Sequence, residues 1–187
     1  MRIAICGTHG TGKTTLARRL ASQLGLPCLE EMARKVAAEG LPILSKHGQT
    51  TLRSQLAILG RQIYEEQRLG SFVADRSVLD NLAYMVLAVE QDDLHLLQWA
   101  FEFGYEYARK NYDLLVYVPI EFSCPEDGVR HTDEDLRKQV DEIIRTSLVG
   151  LPHQTVRGDI NRRVQSVLQA LEQISNRGTA PQQVQME

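Results

Sequence analysis

Cysteine is scarce in this chain and is not spaced for any cysteine-based site. The three cysteines, Cys6, Cys28 and Cys124, include no Cys-x-x-Cys pair. An odd number of scattered cysteines is typical of reduced thiols, so the sequence indicates a cytoplasmic protein without a disulfide framework. The five histidines also lack the spacing of metal ligands, and we expect no structural zinc.

Long apolar runs and an excess of positive charge are also missing. No run approaches the length that spans a bilayer, and the N-terminus enters a strand pattern at once, without the features of a signal peptide. The formal net charge is −3, so no global basic field attracts nucleic acid. We therefore expect neither a membrane nor a nucleic-acid partner.

Length and composition fit one domain. The chain has 187 residues, 43% of them hydrophobic, which is enough for one buried core and too little for two ordinary domains. Residues 176–187 are polar and contain Gly178, Pro181 and three glutamines. We predict a single domain over residues 1–175 and a disordered polar tail over 176–187.

One octet carries most of the functional information. Residues 7–14 read Gly-Thr-His-Gly-Thr-Gly-Lys-Thr, which fits the phosphate-binding P-loop, or Walker A, pattern G-x-x-x-x-G-K-[ST]. In such a loop, backbone N–H groups and a helix N-terminus bind a polyphosphate, Lys13 reaches the β- and γ-phosphates, and the Thr14 hydroxyl ligates Mg²⁺. The predicted nucleotide-binding residues are Gly7, Thr8, His9, Gly10, Thr11, Gly12, Lys13, Thr14 and Thr15.

The rest of the chain alternates between short apolar runs and helical patterns. The apolar runs lie at 3–6, 27–29, 72–74, 114–118 and 154–156, and they lack polar alternation. Strands of this kind are buried on both faces of a parallel sheet. We predict a P-loop NTPase fold, a three-layer α/β/α arrangement with a five-stranded parallel sheet. Helices are predicted over 49–69 and 77–89, among others.

An acidic residue, Asp75, ends the third apolar run. Beside a P-loop, this is the pattern of a Walker B element, whose carboxylate holds Mg²⁺. We predict Thr14 and Asp75 as the metal ligands. An aspartate at a strand-to-helix turn also serves as a helix cap, and that alternative remains open on spacing alone.

Two further acids, Glu30 and Glu31, follow the second apolar run. Ligands of an open parallel sheet bind outside the carboxyl ends of its strands. A carboxylate there can accept the proton of a hydroxyl that attacks the γ-phosphate, and Arg34 can hold a phosphate or orient the acid. The spacing fits equally well two acids that only begin a helix, where they suit its dipole.

Polar residues after Asp75 are candidates for substrate contacts. Asp80 and Tyr84 are four residues apart, on one face of the helix predicted from Ser77. That face begins beside the predicted metal site, so we predict substrate contacts by Arg34, Arg76, Asp80 and Tyr84. A solvated polar stripe is the alternative.

A lid is predicted over residues 119–131, a segment rich in turn formers. Arg130 stands in this segment, and Arg137 lies two helical turns further on a similar face. Arginines on a closing segment neutralise the charge of transferring phosphoryl oxygens and help exclude water. The alternative is a surface loop with one salt-bridged arginine.

Several short motifs resemble those of a P-loop small-molecule kinase family. That family includes the nicotinamide riboside kinase domain of bifunctional NAD-biosynthesis proteins and AAA-like ATPase/kinase proteins, and the pattern is also similar to that of nucleoside and nucleotide kinases. The resemblance implies Glu31 rather than Glu30 as the base, Asp75 for magnesium and Arg130 for the lid. The motifs are the P-loop, Glu31-Met32-Ala33-Arg34, Asp75-Arg76-Ser77 with Asp80 and Tyr84, and Asp127-Gly128-Val129-Arg130.

These patterns predict an ATP-dependent phosphotransferase that acts on a nucleoside or a nucleoside monophosphate. ATP and Mg²⁺ are the expected cofactors, and a small molecule is the expected acceptor. Glu31 favours a neutral hydroxyl, whereas Arg34 and Arg76 favour a charged acceptor. The alternative is a P-loop ATPase that acts as a nucleotide-driven switch with a macromolecular partner. The predicted catalytic residues are Lys13, Glu31, Asp75 and Arg130.

Overall fold

Five short strands form one sheet in the computed structural model, which describes residues 1–40, 50–122 and 134–178. The strands are β1 (Arg2–Cys6), β2 (Cys28–Leu29), β3 (Phe72–Asp75), β4 (Leu114–Tyr117) and β5 (His153–Thr155). Their order is β2-β3-β1-β4-β5, and every neighbouring pair is parallel. The predicted five-stranded parallel sheet of a P-loop NTPase fold is confirmed.

Helices cover both faces of this sheet. Among the described residues they are α1 (Lys13–Leu24), α2 (Met32–Ala38), α3 (Leu52–Leu69), α4 (Val78–Ala88), α5 (Leu94–Asn111), α6 (Glu134–Ser147) and α7 (Ile160–Gly178), with one 3₁₀ turn over Gln91–Asp93 before α5.

The central strand shows why the apolar runs lack polar alternation. Ile3 and Ile5 of β1 pack with α1 and α7 on one face of the sheet, whereas Ala4 and Cys6 pack with α3, α4, α5 and α6 on the other. All four side chains are fully buried. Since both faces are covered, every position of the strand is apolar. No helix within the described residues has the length and apolar character needed to cross a bilayer.

Capping residues set the helix starts. Ser54 N–H donates to Thr51 Oγ1 at 3.1 Å, and Thr51 N–H donates to Ser54 Oγ at 3.1 Å, so α3 begins at Leu52. Ser77 caps α4 in the same way with Asp80.

The end of the last helix differs from the predicted domain boundary. The helix α7 continues to Gly178, so residues 176–178 extend it rather than begin a tail, because no helix breaker precedes Gly178. Residues 179–187 lie outside the described part of the chain.

A buried carboxylate lies between α3 and α5. Glu66 is fully buried, and its oxygens accept hydrogen bonds from Gln62 Nε2 at 2.9 Å, Tyr112 Oη at 2.9 Å and Tyr107 Oη at 3.0 Å. Burial raises the pKa of Glu66 to about 7, although the three donors favour its ionised form. The core therefore contains one polar cluster directly behind the end of β3.

Candidate active site

The P-loop leaves the carboxyl end of β1 and enters α1. Gly7 and Gly12 have φ angles of +143° and +88°, which favour glycine. Lys13 is the first residue of α1, and its Nζ donates to the Thr8 carbonyl at 2.5 Å. Burial, together with the nearby charge of Arg76, lowers the pKa of Lys13 to about 8. The lysine is thus folded back on its own loop.

A cleft of about 160 Å³ lies at this edge of the sheet. It brings together most of the residues predicted from the sequence. Three of the predicted nucleotide-binding residues do not line the cleft: Gly7 and Thr8 are buried at the start of the loop, and Thr15 is exposed on the first turn of α1. The lining residues are His9, Gly10, Thr11, Gly12, Lys13, Thr14, Glu31, Arg34, Asp75 and Arg76.

Asp75 is the last residue of β3 and lies beside the P-loop strand. It pairs in register with Ile5 of β1, two residues before the loop, and it is buried. The Asp75 carboxylate and the Thr14 hydroxyl open into one cleft, and such hard oxygen ligands suit Mg²⁺, which keeps several waters. Within the described residues, no three His, Cys, Asp or Glu side chains are grouped to hold a metal ion.

An ion pair crosses the cleft from β2 to β3. The Arg76 Nε donates to Glu31 Oε1 at 2.6 Å, and both side chains are about 85% buried. Burial alone raises the pKa of Glu31, but Arg76, Lys13 and Arg34 outweigh it and hold the pKa below its ordinary value. Glu31 is therefore a carboxylate at neutral pH.

The two candidate acids of the 30–31 pair lie in different places. Glu31 lines the cleft as the N-cap residue of α2, whereas Glu30 is exposed and pairs with Arg18 at 3.5 Å on the surface. Arg34 also lines the cleft, is 73% exposed, and contacts Glu31 Oε2 at 3.3 Å.

Asp80 and Tyr84 lie behind the cleft rather than along it. The carboxylate of Asp80 is fully buried and accepts the Ser77 and Gly7 backbone N–H groups at 2.9 and 3.3 Å, so it holds the loop instead of facing a substrate. The Arg76 guanidinium lies over the ring of Tyr84, 5.5 Å from the ring centroid, and the Tyr84 hydroxyl lies 3.4 Å from His9 Nδ1.

Two buried arginines from α6 and α7 donate hydrogen bonds to backbone carbonyl groups of the P-loop. Arg137 of α6, predicted in the lid, is 1% exposed and donates from Nε to the His9 carbonyl at 3.1 Å. Arg163 of α7 donates to the Thr11 carbonyl at 2.7 Å and pairs with Glu121 at 2.6 Å. No sequence signal marked Arg163, because it is 152 residues away from Thr11. Arg130 and most of the predicted lid lie outside the described residues.

A larger groove, of about 650 Å³, lies between α2 and α3. Its charged residues, Glu39 and Arg61, pair with each other at 3.1 Å, and the remaining lining is apolar or small apart from the phenol of Tyr64. The smaller cleft, with its loop, acid and arginines, is therefore the candidate active site.

The family model of the AAA domain matches residues 2–163. The chain belongs to the AAA domain family. No curated protein sequence matches it. The matched range of this AAA domain contains the P-loop, the 31–34 and 75–77 motifs and Arg163.

Solved structures share the fold at low sequence identity. The NadR protein in complex with NR is 22% identical, with a TM-score of 0.73 over 98% of this chain and 53% of that one, so this AAA domain spans about half the length of NadR. Deoxyadenosine kinase from M. mycoides, with products dCMP and dCDP bound, is 19% identical, with a TM-score of 0.62 over 92% of this chain and 100% of that one. Shikimate kinase from Acinetobacter baumannii, in complex with shikimate, is 15% identical, with a TM-score of 0.60 over 96% of this chain and 95% of that one. The chain therefore has a P-loop small-molecule kinase-like fold.

The glycine at the start of the loop gives a direct test of this geometry. A Cβ on Gly7 would overlap the Val118 carbonyl oxygen, at a φ of +143°. We expect Gly7→Ala to lower the free energy of unfolding by about 2–4 kcal/mol. Gly60→Ala is the matched control, because a Cβ there meets nothing within 4 Å in the middle of α3, and it should be neutral or stabilising by up to about 1 kcal/mol. Urea unfolding measures both, and equal stability of the two variants would contradict the geometry.

Proposed function

We propose that this protein is an ATP-dependent kinase that transfers the terminal phosphoryl group to a hydroxyl of a nucleoside or to the phosphate of a nucleoside monophosphate. The observation that carries the proposal is the shared cleft. A phosphate-binding loop forms one wall, and an ionised carboxylate, Glu31, stands on another, held by Arg76 at 2.6 Å. An acceptor hydroxyl that donates to Glu31 would face the end of the triphosphate.

Glu31 acts mainly by orienting the hydroxyl. A carboxylate with a lowered pKa is a weak base, but phosphoryl transfer has a loose transition state that needs little base catalysis and depends on positioning and charge stabilisation. Glu31 therefore accepts the hydroxyl hydrogen bond and takes the proton as the bond from the acceptor oxygen to the γ-phosphorus forms and the bond from that phosphorus to the β,γ-bridging oxygen breaks, with ADP as the leaving group. Lys13 stabilises the β- and γ-phosphate oxygens, and contact with a phosphate replaces its bond to the Thr8 carbonyl.

Thr14 and Asp75 would hold the metal ion, and Mg²⁺ bound there would neutralise phosphate oxygens. The Arg137 and Arg163 side chains keep the carbonyls of His9 and Thr11 pointed away from the nucleotide. The amide N–H groups of the loop then remain available for phosphate oxygens.

The charge balance of the cleft favours the neutral acceptor. Arg76, one of the two arginines that suggested a charged acceptor, is already matched by Glu31 at 2.6 Å and Asp80 at 3.5 Å. A monophosphate would have to displace one of these carboxylates, whereas a hydroxyl only adds a hydrogen bond. Of the two arginines that line the described part of the cleft, Arg34 is the one exposed enough to take a new anion. We therefore favour nucleosides as acceptors over nucleoside monophosphates.

Transfer of label from ATP tests this function. The protein is incubated with Mg²⁺ and [γ-³²P]ATP and, separately, with pools of nucleosides, nucleoside monophosphates and shikimate. We expect the label to move into the nucleoside pool. Glu31→Gln should lower kcat by about 100-fold or more, because it removes the charged group that orients the hydroxyl and takes its proton, and because it breaks the Glu31–Arg76 ion pair. Glu30→Gln is the matched control and should keep the wild-type rate, since Glu30 lies on the surface.

Other results would contradict the proposal in distinct ways. Label that appears only as inorganic phosphate, at a rate no pool changes, would favour the ATPase switch. Equal rates for Glu31→Gln and Glu30→Gln would remove Glu31 from the mechanism. Labelled nucleoside diphosphates without labelled monophosphates would reverse the choice of acceptor.

A further inference from the structure

Arg76 has a strained backbone at the centre of the candidate site. Its φ angle is +117°, and among the described residues no other residue except glycine has a positive φ. Such conformations persist only where the surroundings hold them, and they concentrate at functional sites. The strain turns Arg76 out of the line of β3, and its guanidinium then reaches Glu31.

The carbonyl group of Arg76 is held from inside the core. Gln62, in the middle of α3 and 2% exposed, donates from Nε2 to the Arg76 carbonyl at 2.9 Å. The strained turn directs this carbonyl into the protein, where an unpaired oxygen would be costly. Gln62 is therefore the main-chain anchor of Arg76, as Glu31 and Asp80 are its side-chain anchors.

The orientation of the Gln62 amide is fixed by its neighbours. Its nitrogen donates to two acceptors, the Arg76 carbonyl and Glu66 Oε1, each at 2.9 Å, and its oxygen accepts from Asn81 Nδ2 at 2.9 Å. A flipped amide would place oxygen against both acceptors and nitrogen against the donor. The three partners, Arg76, Glu66 and Asn81, therefore fix which end of the Gln62 amide carries the nitrogen and which carries the oxygen.

The cluster behind Gln62 is itself anchored. Glu66 accepts hydrogen bonds from the hydroxyl groups of Tyr107, in α5, and Tyr112, which directly follows α5. The Tyr112 hydroxyl in turn accepts a hydrogen bond from the backbone N–H of Val78 at 3.1 Å. Val78 is the first residue of α4, two residues after Arg76. The polar cluster therefore makes hydrogen bonds to the backbone of the turn on both sides of Ser77, at the Arg76 carbonyl and at the Val78 N–H.

We propose that Gln62 is a positioning residue for phosphoryl transfer: its amide, oriented by Asn81 and Glu66, fixes the Arg76 carbonyl and so keeps the Arg76 guanidinium on Glu31. The kinetic consequence rests on the proposed function, whereas the structural one does not. A residue with only a packing role at this place would need no amide, because apolar side chains fill the neighbouring positions Ile58 and Leu59.

A matched pair of substitutions on one helix tests this role. Gln62→Met keeps the length and burial of the side chain and removes the bond to Arg76 together with those to Glu66 and Asn81. Gln55→Met, two turns earlier on α3, removes a comparable buried bond, to Thr50 Oγ1 at 2.7 Å, that has no connection with Arg76. We expect Gln62→Met to lower kcat by about 10- to 100-fold with little change in KM for ATP, and Gln55→Met to leave kcat unchanged.

A second readout needs no activity. In the wild type, Arg76 helps to hold the pKa of Glu31 below its ordinary value. Titration of ¹³C-labelled glutamate carboxyls by NMR, with the Glu31 signal assigned by its loss in Glu31→Gln, should show a higher Glu31 pKa in Gln62→Met and an unchanged one in Gln55→Met. Gln62→Asn, whose shorter amide withdraws from the carbonyl, provides the same comparison if Gln62→Met does not fold.

The outcomes separate the two proposals. If the wild-type protein phosphorylates no acceptor, the proposed function fails, and the Glu31 titration still decides the role of Gln62. If Gln62→Met and Gln55→Met share the same kcat and the same Glu31 pKa, Gln62 is only a packing residue and the inference is overturned.

Discussion

The candidate site depends on one buried carboxylate, that of Asp80. Its Oδ1 atom accepts the Gly7 N–H and contacts Arg76 Nη1 at 3.5 Å, and its Oδ2 atom accepts the N–H and hydroxyl groups of Ser77 at 2.9 and 2.8 Å. Burial raises the pKa of Asp80, while the charges of Arg76 and Lys13 oppose that shift. A single side chain thus joins the start of the P-loop, the strained turn after β3 and the cap of α4. The spacing between the phosphate loop and the ion pair therefore depends in part on this carboxylate.

Sequence patterns predicted the fold well because its signals are local. Each buried strand is a short apolar run, and a parallel sheet covered on both faces makes such runs uniform, as Ile3, Ala4 and Ile5 show. The start of α4 was also local, since Ser77 and Asp80 form its cap. The helix α7 ends at Gly178 rather than at the predicted boundary of residue 175, because polar residues such as Asn176 both continue helices and form tails. Strand order required the three-dimensional structure, since nothing in β5 indicates that it pairs with β4.

The site was predictable where a motif names its own chemistry. The P-loop, Glu31 and Asp75 come together in one cleft, as their places at the ends of parallel strands suggested. Asp80 was predicted to contact substrate because its helical spacing resembles that of a cleft-facing residue, but a capping residue has the same spacing. Arg163 and Gln62 could not be found, since each acts on a carbonyl far along the chain, and a side chain that binds a distant backbone oxygen leaves no pattern in sequence.

The central claim is that the loop between β1 and α1 binds the phosphates of a nucleotide through Lys13. Isothermal titration calorimetry with ATP and Mg²⁺ at pH 7, where Lys13 with a pKa of about 8 is charged, measures this directly, with Lys13→Ala as the comparison. We expect saturable heat from the wild-type protein that is lost in Lys13→Ala. Absence of heat from a folded wild-type protein, or equal affinities for the two proteins, would contradict it.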